Sequence, residues 1–268
     1  MRRVLRGFLP ILILILFLLM QGCTGRVGSY GNYRVLKSYN PSKLAIGFRN
    51  DDWIATYVTA ALKVSAAEGT VHHNAIRWFG SDQISFPADP TAMDNIGAIP
   101  PRTLLVGCDV DVYPMSYMVE DRFEGFDVDI ARDVCYRLGW SLYFIPIKAE
   151  NAYIELSSGN IDVAWGGLAL DLEATDHTVV YPYMTQEIVL VSRRDTKYRS
   201  LSSLKNAKLA MDSSQLFLDT INSDDNLKNS LGEIQRVQGG AEACFKLLNE
   251  GKVDCILVYK SALLYFGK

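Results

Sequence analysis

A chain of 268 residues with 27 basic and 30 acidic side chains carries a net charge of −3. Its charges are evenly spread, which argues against nucleic acid as a partner. Hydrophobic residues make up 49% and aromatic residues 11%, enough to bury a core in one large or two small domains. No P-loop, GxGxxG or HExxH sequence occurs, so nucleotide binding and zinc-protease chemistry have no support.

The first 23 residues, MRRVLRGFLPILILILFLLMQGC, place three arginines before an apolar run from Phe8 to Met20. That run is short for a membrane span and has the layout of a secretory signal. Gly22-Cys23 resembles a lipobox, with Met20 and Gln21 fitting the preceding positions loosely. Cys23 is expected as the lipidated first residue of the mature protein, followed by a tether over residues 24–32. Loss of Arg2, Arg3 and Arg6 leaves 24 basic residues against 30 acids, a mature charge of −6. An ordinary signal peptide or an uncleaved anchor is the alternative.

From Asp52 to Ala67 the residues Ile54, Val58, Ala61, Leu62 and Ser65 recur on one helical face, Gly69 ends the helix, and a second helix reaches Phe79. His72-His73 at its start are adjacent residues facing different directions, a poor zinc pair, and His177 has no evident partner. Residues 81–101 form a linker: four prolines stand among small and polar residues in GSDQISFPADPTAMDNIGAIPPR. Leu104–Cys108 then reads as a strand, Phe126–Leu138 as a helix, Leu142–Ile147 as a strand, Ala152–Ser158 as a helix stopped at Gly159, and Asp162–Trp165 as a strand. This βαβαβ order implies parallel strands with helical crossovers. A second set runs through Ile188–Ser192, Lys208–Met211, the helix Ala241–Asn249 and the strand Asp254–Val258. The expected fold class is α/β with two Rossmann-like lobes. Cys108, Cys135, Cys244 and Cys255 sit in apolar patterns without CxxC spacing and are expected as buried free thiols.

Residues Thr103 to Phe266, opening TLLVGCDVDVYPMSYMVEDRFEGFDVDIARDVCYRLG, resemble the bacterial extracellular solute-binding proteins of family 3 from their first strand onward. Residues Lys43 to Phe79, KLAIGFRNDDWIATYVTAALKVSAAEGTVHHNAIRWF, resemble the end of the same family. The parts stand in reversed order, which reads as a circular permutation of a periplasmic-binding-protein type II fold with the ancestral ends joined by residues 81–101. A decayed tandem duplication is the alternative. On this reading lobe 2 comprises residues 33–50 and 188–268, and lobe 1 comprises 51–80 and 102–187. Two crossings, near Gln186 and Asn50, would permit hinge closure on a ligand.

The resemblance also implies a pocket, and here the pocket departs from the family. The arginine that forks an amino-acid carboxylate falls on Ala174, or on Glu173 if one gap is shifted. The carboxylate-binding threonine is Ala169, the stacking aromatic is Val112, the second clamp is Ala149, and the ammonium-binding aspartate is Tyr259. A polar or basic position near the start of lobe 2 is Asp212, and Asp109 alone matches outright. Asp109, Asp171, Glu173 and Asp212 would favour a cation, with Trp165, Tyr113 or Tyr259 offering ring faces, in a cleft expected to lack a cation of its own. The expected role is an extracytoplasmic solute-binding lipoprotein that serves an ABC permease, is anchored by lipid at Cys23, is monomeric and needs no cofactor or metal. A cyclohexadienyl dehydratase-like enzyme and a non-transport surface protein with a degenerate cleft are the alternatives.

Overall fold

The computed structural model describes residues 30–39, 41–50, 52–82, 84–168, 170 and 178–268. Cys23, Ala169, Asp171, Glu173, Ala174 and His177 lie outside the described residues. Lobe 1 is built on a five-stranded sheet in the order β7 (Ser141–Pro146), β3 (Thr103–Cys108), β8 (Val163–Ala164), β2 (Ser42–Arg49) and β9 (Thr178–Gln186). β3 runs parallel to β7 and β8, whereas β2 is antiparallel to β8 and β9. Lobe 2 is a second five-stranded sheet, in the order β1 (Tyr33–Ser38), β10 (Ile188–Arg193), β13 (Cys255–Tyr259), β11 (Ala207–Asp212) and β12 (Leu231–Val237). A small third sheet, β4 (Asp111–Val112), β5 (Ser116–Val119) and β6 (Arg122–Glu124), projects from lobe 1.

Side-chain alternation along each strand places a core on both faces of each sheet. In β2, Leu44, Ile46 and Phe48 point to a core shared with α1 (Trp53–Ala67), α2 (Thr70–Phe79) and α3 (Phe126–Leu138). Ala45 points to the opposite core, filled by α4 (Ala152–Ser158) through Ala152 and Leu156. α1 starts where the Asp52 side chain accepts a hydrogen bond from the Ile54 amide at 3.0 Å, a side-chain N-cap. In lobe 2, α7 (Gly240–Asn249) and α8 (Lys260–Phe266) cover one face, while α5 (Gln215–Asn222) and α6 (Asp225–Ser230) cover the other. The four cysteines Cys108, Cys135, Cys244 and Cys255 are buried free thiols.

One boundary differs from the sequence reading. Residues 33–50 do not share a lobe: β1 pairs with β10 in lobe 2, but β2 pairs with β8 and β9 in lobe 1. The crossing expected at Asn50 therefore lies near residues 39–41. The other crossing, between Gln186 and Ile188, is tied to α8, where the Gln186 Nε2 donates to the Ser261 hydroxyl at 2.6 Å and the Lys260 amide donates to the Glu187 carbonyl at 2.8 Å. The proline-containing stretch after Phe79 packs on lobe 1 rather than spanning it loosely. Phe86 is buried between Tyr181 and Tyr183, with ring centroids 5.5 and 5.6 Å away.

Asp127, in the first turn of α3, joins this scaffold to the turn after β8. Its Oδ2 accepts from the Tyr183 hydroxyl and from the Gly167 amide, each at 2.6 Å, while Oδ1 has no hydrogen-bond partner. Burial pushes its pKa up to about 7, against the opposing effect of the donors around it. Because folding raises this pKa, the group's contribution to stability is complete at acid pH and is lost as pH rises through 7. A shift of this size corresponds to about 4 kcal/mol. Urea midpoints of the wild type are expected to fall between pH 4 and 7.5 relative to those of Asp127→Asn; parallel profiles for the two proteins would refute the assignment.

Candidate functional site

A cavity of about 1060 Å³ lies between the lobes. Lobe 1 supplies the loop after β3, including Asp109, Asp111 and Tyr113, the segment around Ala149, and Gly167. Lobe 2 supplies the end of β11 with the start of α5, the end of β12 with the start of α7, and the end of β13. The walls are thus strand ends and helix starts, where ligands bind open α/β sheets.

Asp109 organises the lobe 1 wall. Its Oδ1 accepts from the Asp111 amide at 3.1 Å and its Oδ2 from the Ala149 amide at 3.2 Å, so one carboxylate fixes two cleft loops. In lobe 2 the Asp212 carboxylate holds its own loop, accepting from the Ser214 amide at 2.7 Å. Burial raises the pKa of Asp109, Asp111 and Asp212. Asp212 is raised further by the charges of Asp109 and Asp111, which line the same cavity from the opposite lobe. Tyr259, at the end of β13, is raised by burial and then by both Asp212 and Asp109, and its ring packs against Phe217 with centroids 5.1 Å apart.

Of the residues singled out in the sequence, Asp109, Val112, Ala149, Asp212 and Tyr259 line the cavity, and so does Tyr113. Trp165 does not: it is 1% exposed in the lobe 1 core, so it offers no ring face to the cleft. The expectation of a cleft without cations is also corrected. Lys43, Lys148 and Arg236 line it, and Arg236 donates to the Ser213 carbonyl. Arg236 comes from β12, a strand absent from the sequence reading, and Lys43 from a strand assigned to the other lobe. His72 pairs with Asp82 at 2.6 Å, away from the cavity. Among the described residues no group of His, Cys, Asp and Glu could hold a metal ion.

Comparison with known proteins agrees with this geometry. Residues 104–233 match the family described as bacterial extracellular solute-binding proteins, family 3. The arginine-binding extracellular protein ArtP of Bacillus subtilis (strain 168) is 26% identical over 107 residues, 39% of this chain and 41% of that protein. The L-cystine-binding protein TcyA of the same organism is 26% identical over 171 residues, 62% of this chain and 60% of its own length. The chain thus matches less than two thirds of either curated relative. The crystal structure of the ancestral amino acid-binding protein AncCDT-1, a precursor of cyclohexadienyl dehydratase, superposes with a TM-score of 0.51 at 22% identity, covering 62% of this chain and 74% of that one. That likeness concerns the fold. With its two α/β lobes flanking one cavity, the chain resembles the bacterial extracellular solute-binding proteins, family 3, over residues 104–233.

Proposed function

We propose that this chain is an extracytoplasmic solute-binding lipoprotein whose cleft takes a small amino-acid-like solute bearing a positive group, and that it delivers this solute to an ABC permease. The observation that carries the reading is the pair Asp109 and Asp212, one from each lobe, within electrostatic range of each other and of Tyr259 in the inter-lobe cavity. Two carboxylates held together in a partly desolvated cleft favour a ligand that neutralises them. Arg236 on lobe 2 then offers a guanidinium for a ligand carboxylate, in place of the arginine that the family's own motif would put at Ala174 or Glu173. Asp171 and Glu173, outside the described residues, belong to the same proposal as further acids at positions that the family resemblance assigns to the pocket. Binding rather than turnover is supported by the names of two curated relatives, an arginine-binding and an L-cystine-binding protein, whereas a third, 30% identical over 90 residues, is named as a cyclohexadienyl dehydratase.

Thermal melting with L-arginine, putrescine and L-glutamate tests the ligand class, since a ligand at a hundred times its dissociation constant stabilises by about 2.7 kcal/mol. L-Arginine or putrescine is expected to raise the melting temperature, and Asp212→Asn to weaken that ligand about tenfold or more. Tighter binding of L-glutamate than of either cation would sink the proposal.

Anchoring at Cys23 is the second part of the proposal, supported by the arginines, the apolar run and Gly22-Cys23. Among the described residues no helix is long and apolar enough to cross a membrane. Labelled palmitate should appear on the wild type and be absent from Cys23→Ala; an unlabelled, freely released wild type would disprove the anchor.

The third part is the permuted chain order. Three features support it: β1 and β2 complete two different sheets, Phe79 and Thr103 both lie in lobe 1, and Gly31 sits against Gly267, whose carbonyl oxygen would be 2.9 Å from a Cβ placed on Gly31. A reordered chain starting at Thr103 and joining Gly267 to Gly31 is expected to fold with the circular dichroism and melting temperature of the original. Failure of that chain to fold, with the original order intact as control, would count against permutation.

A further inference from the structure

α7 begins at the edge of the cavity with Gly239-Gly240, whose φ values of +89° and +57° both lie in the left-handed region. The two glycines share this backbone reason for lacking a side chain, but only one has a second reason. A Cβ on Gly240 would stand 2.0 Å from the Asp111 carbonyl oxygen and 3.1 Å from its carbonyl carbon, across the cleft on lobe 1. A Cβ on Gly239 would meet only Ala243 of its own helix, at an ordinary 3.5 Å. Since non-bonded carbon atoms pack at about 3.5 to 4.0 Å, and the obstructing atom is backbone that no rotamer change can move, a methyl at Gly240 requires backbone to shift at a point where the two lobes meet.

Beside this contact runs an aromatic seam between the lobes. Tyr265 of α8 lies 5.9 Å from the Trp78 ring and 6.4 Å from the Tyr113 ring, and Phe266 lies 5.6 Å from Tyr113, which itself stacks on Tyr117 at 4.1 Å. Burial raises the hydroxyl pKa of Tyr113 and Tyr117, helped by Glu242 beside the first and Tyr265 beside the second. The Lys268 ammonium adds a 3.2 Å hydrogen bond to the Arg77 carbonyl.

We propose that Gly240 is the seat on which the lobes close: a positioning residue that sets the width of the cleft through backbone contact with Asp111, with the seam around Tyr265 holding the lobes at that spacing. Its consequence for ligand retention rests on the cleft being a solute site, but the contact itself does not. The test therefore uses the full chain without any solute. Amide hydrogen exchange is measured on the wild type, Gly240→Ala and the matched control Gly239→Ala, which shares the backbone strain without the collision. Inter-lobe distance is measured by spin labels on cysteines at the exposed Ile154 and Ile234, in a Cys23→Ala background.

Gly240→Ala is expected to lengthen that distance and to speed exchange at 111–113 and 239–242 at least about tenfold relative to Gly239→Ala, with similar loss of melting temperature in both. Tyr265→Ala, which loosens the seam without inserting a wedge, should also speed exchange at Asp111 and Gly240. The proposal is overturned if Gly240→Ala and Gly239→Ala coincide in distance and exchange, or, should Gly240→Ala not fold, if Tyr265→Ala leaves exchange at the seat unchanged. Either failure leaves the melting experiment on solute binding intact, and a null result with every solute leaves the seat intact.

Discussion

β2 is hydrogen-bonded along both edges, to β9 over its whole length and to β8 at Gly47 and Phe48, and the geometry of the cleft depends on that double pairing. Leu44, Ala45, Ile46 and Phe48 are fully buried, and burial of each large apolar side chain is worth about 1.5 to 3 kcal/mol. Among the described residues β9 lies at the sheet edge with β2 as its one neighbouring strand, its other side carrying only an isolated bridge from Ile84 to Met184. The two lobe crossings flank this pair: β2 begins just after residues 39–41, and β9 ends at Gln186. Through Gln186 and Glu187 the pair is bonded to Ser261 and Lys260 of α8. The relative position of the lobes is therefore transmitted through one buried strand and its partner.

The cleft that results concentrates like charge. Asp109, Asp111 and Asp212 are drawn together because each occupies a strand end or the loop next to it and is pinned by or near backbone amides. Lys43, Lys148 and Arg236 offset part of that charge, and Arg236 lowers the pKa of Asp212. Each lobe contributes both signs to the wall, Asp109 and Asp111 with Lys43 and Lys148 from lobe 1 and Asp212 with Arg236 from lobe 2, so the cavity is lined by charge of mixed sign.

Much of this fold could be read from the residues, for reasons that differ by element. Phe126–Leu138 is legible because Ile130, Val134 and Leu138 repeat on one face and Gly139 ends the helix in a left-handed conformation. α1 is legible through Asp52 and its apolar stripe. β12 is not, because as an edge strand it buries Val237 alone and its remaining residues show no alternation. β2 carries the apolar run Leu44–Phe48, but such a run does not say which sheet it enters, so the sequence reading places residues 33–50 whole in lobe 2 although β2 pairs in lobe 1. The composition of the linker marks a loop but gives no sign that Phe86 inserts between two tyrosines. At the site, Asp109, Asp212 and Tyr259 follow from the resemblance to the family, whose pocket positions they occupy, whereas Arg236 escapes because it arises from the unread strand. Trp165 was misplaced because local sequence does not separate a ring facing a cleft from one packed beneath it.

The start of α7 shows how the chain trades local stability for the approach of its lobes. Its N-cap is Gly239, in a left-handed conformation and with no side-chain hydrogen bond, so the helix starts without the capping that serine or aspartate gives from extended backbone. Two successive glycines also carry the largest backbone entropy loss on folding. A side chain at Gly239 is disfavoured by its left-handed backbone, and one at Gly240 would in addition meet the Asp111 carbonyl of lobe 1. A backbone contact has no rotamers, so the spacing it allows is fixed in a way that interleaved side chains would not fix it. A weakened helix start beside an enclosed cavity is thus explained by what lies across the cleft, and the conflict between local preference and tertiary contact falls at the point where the lobes meet.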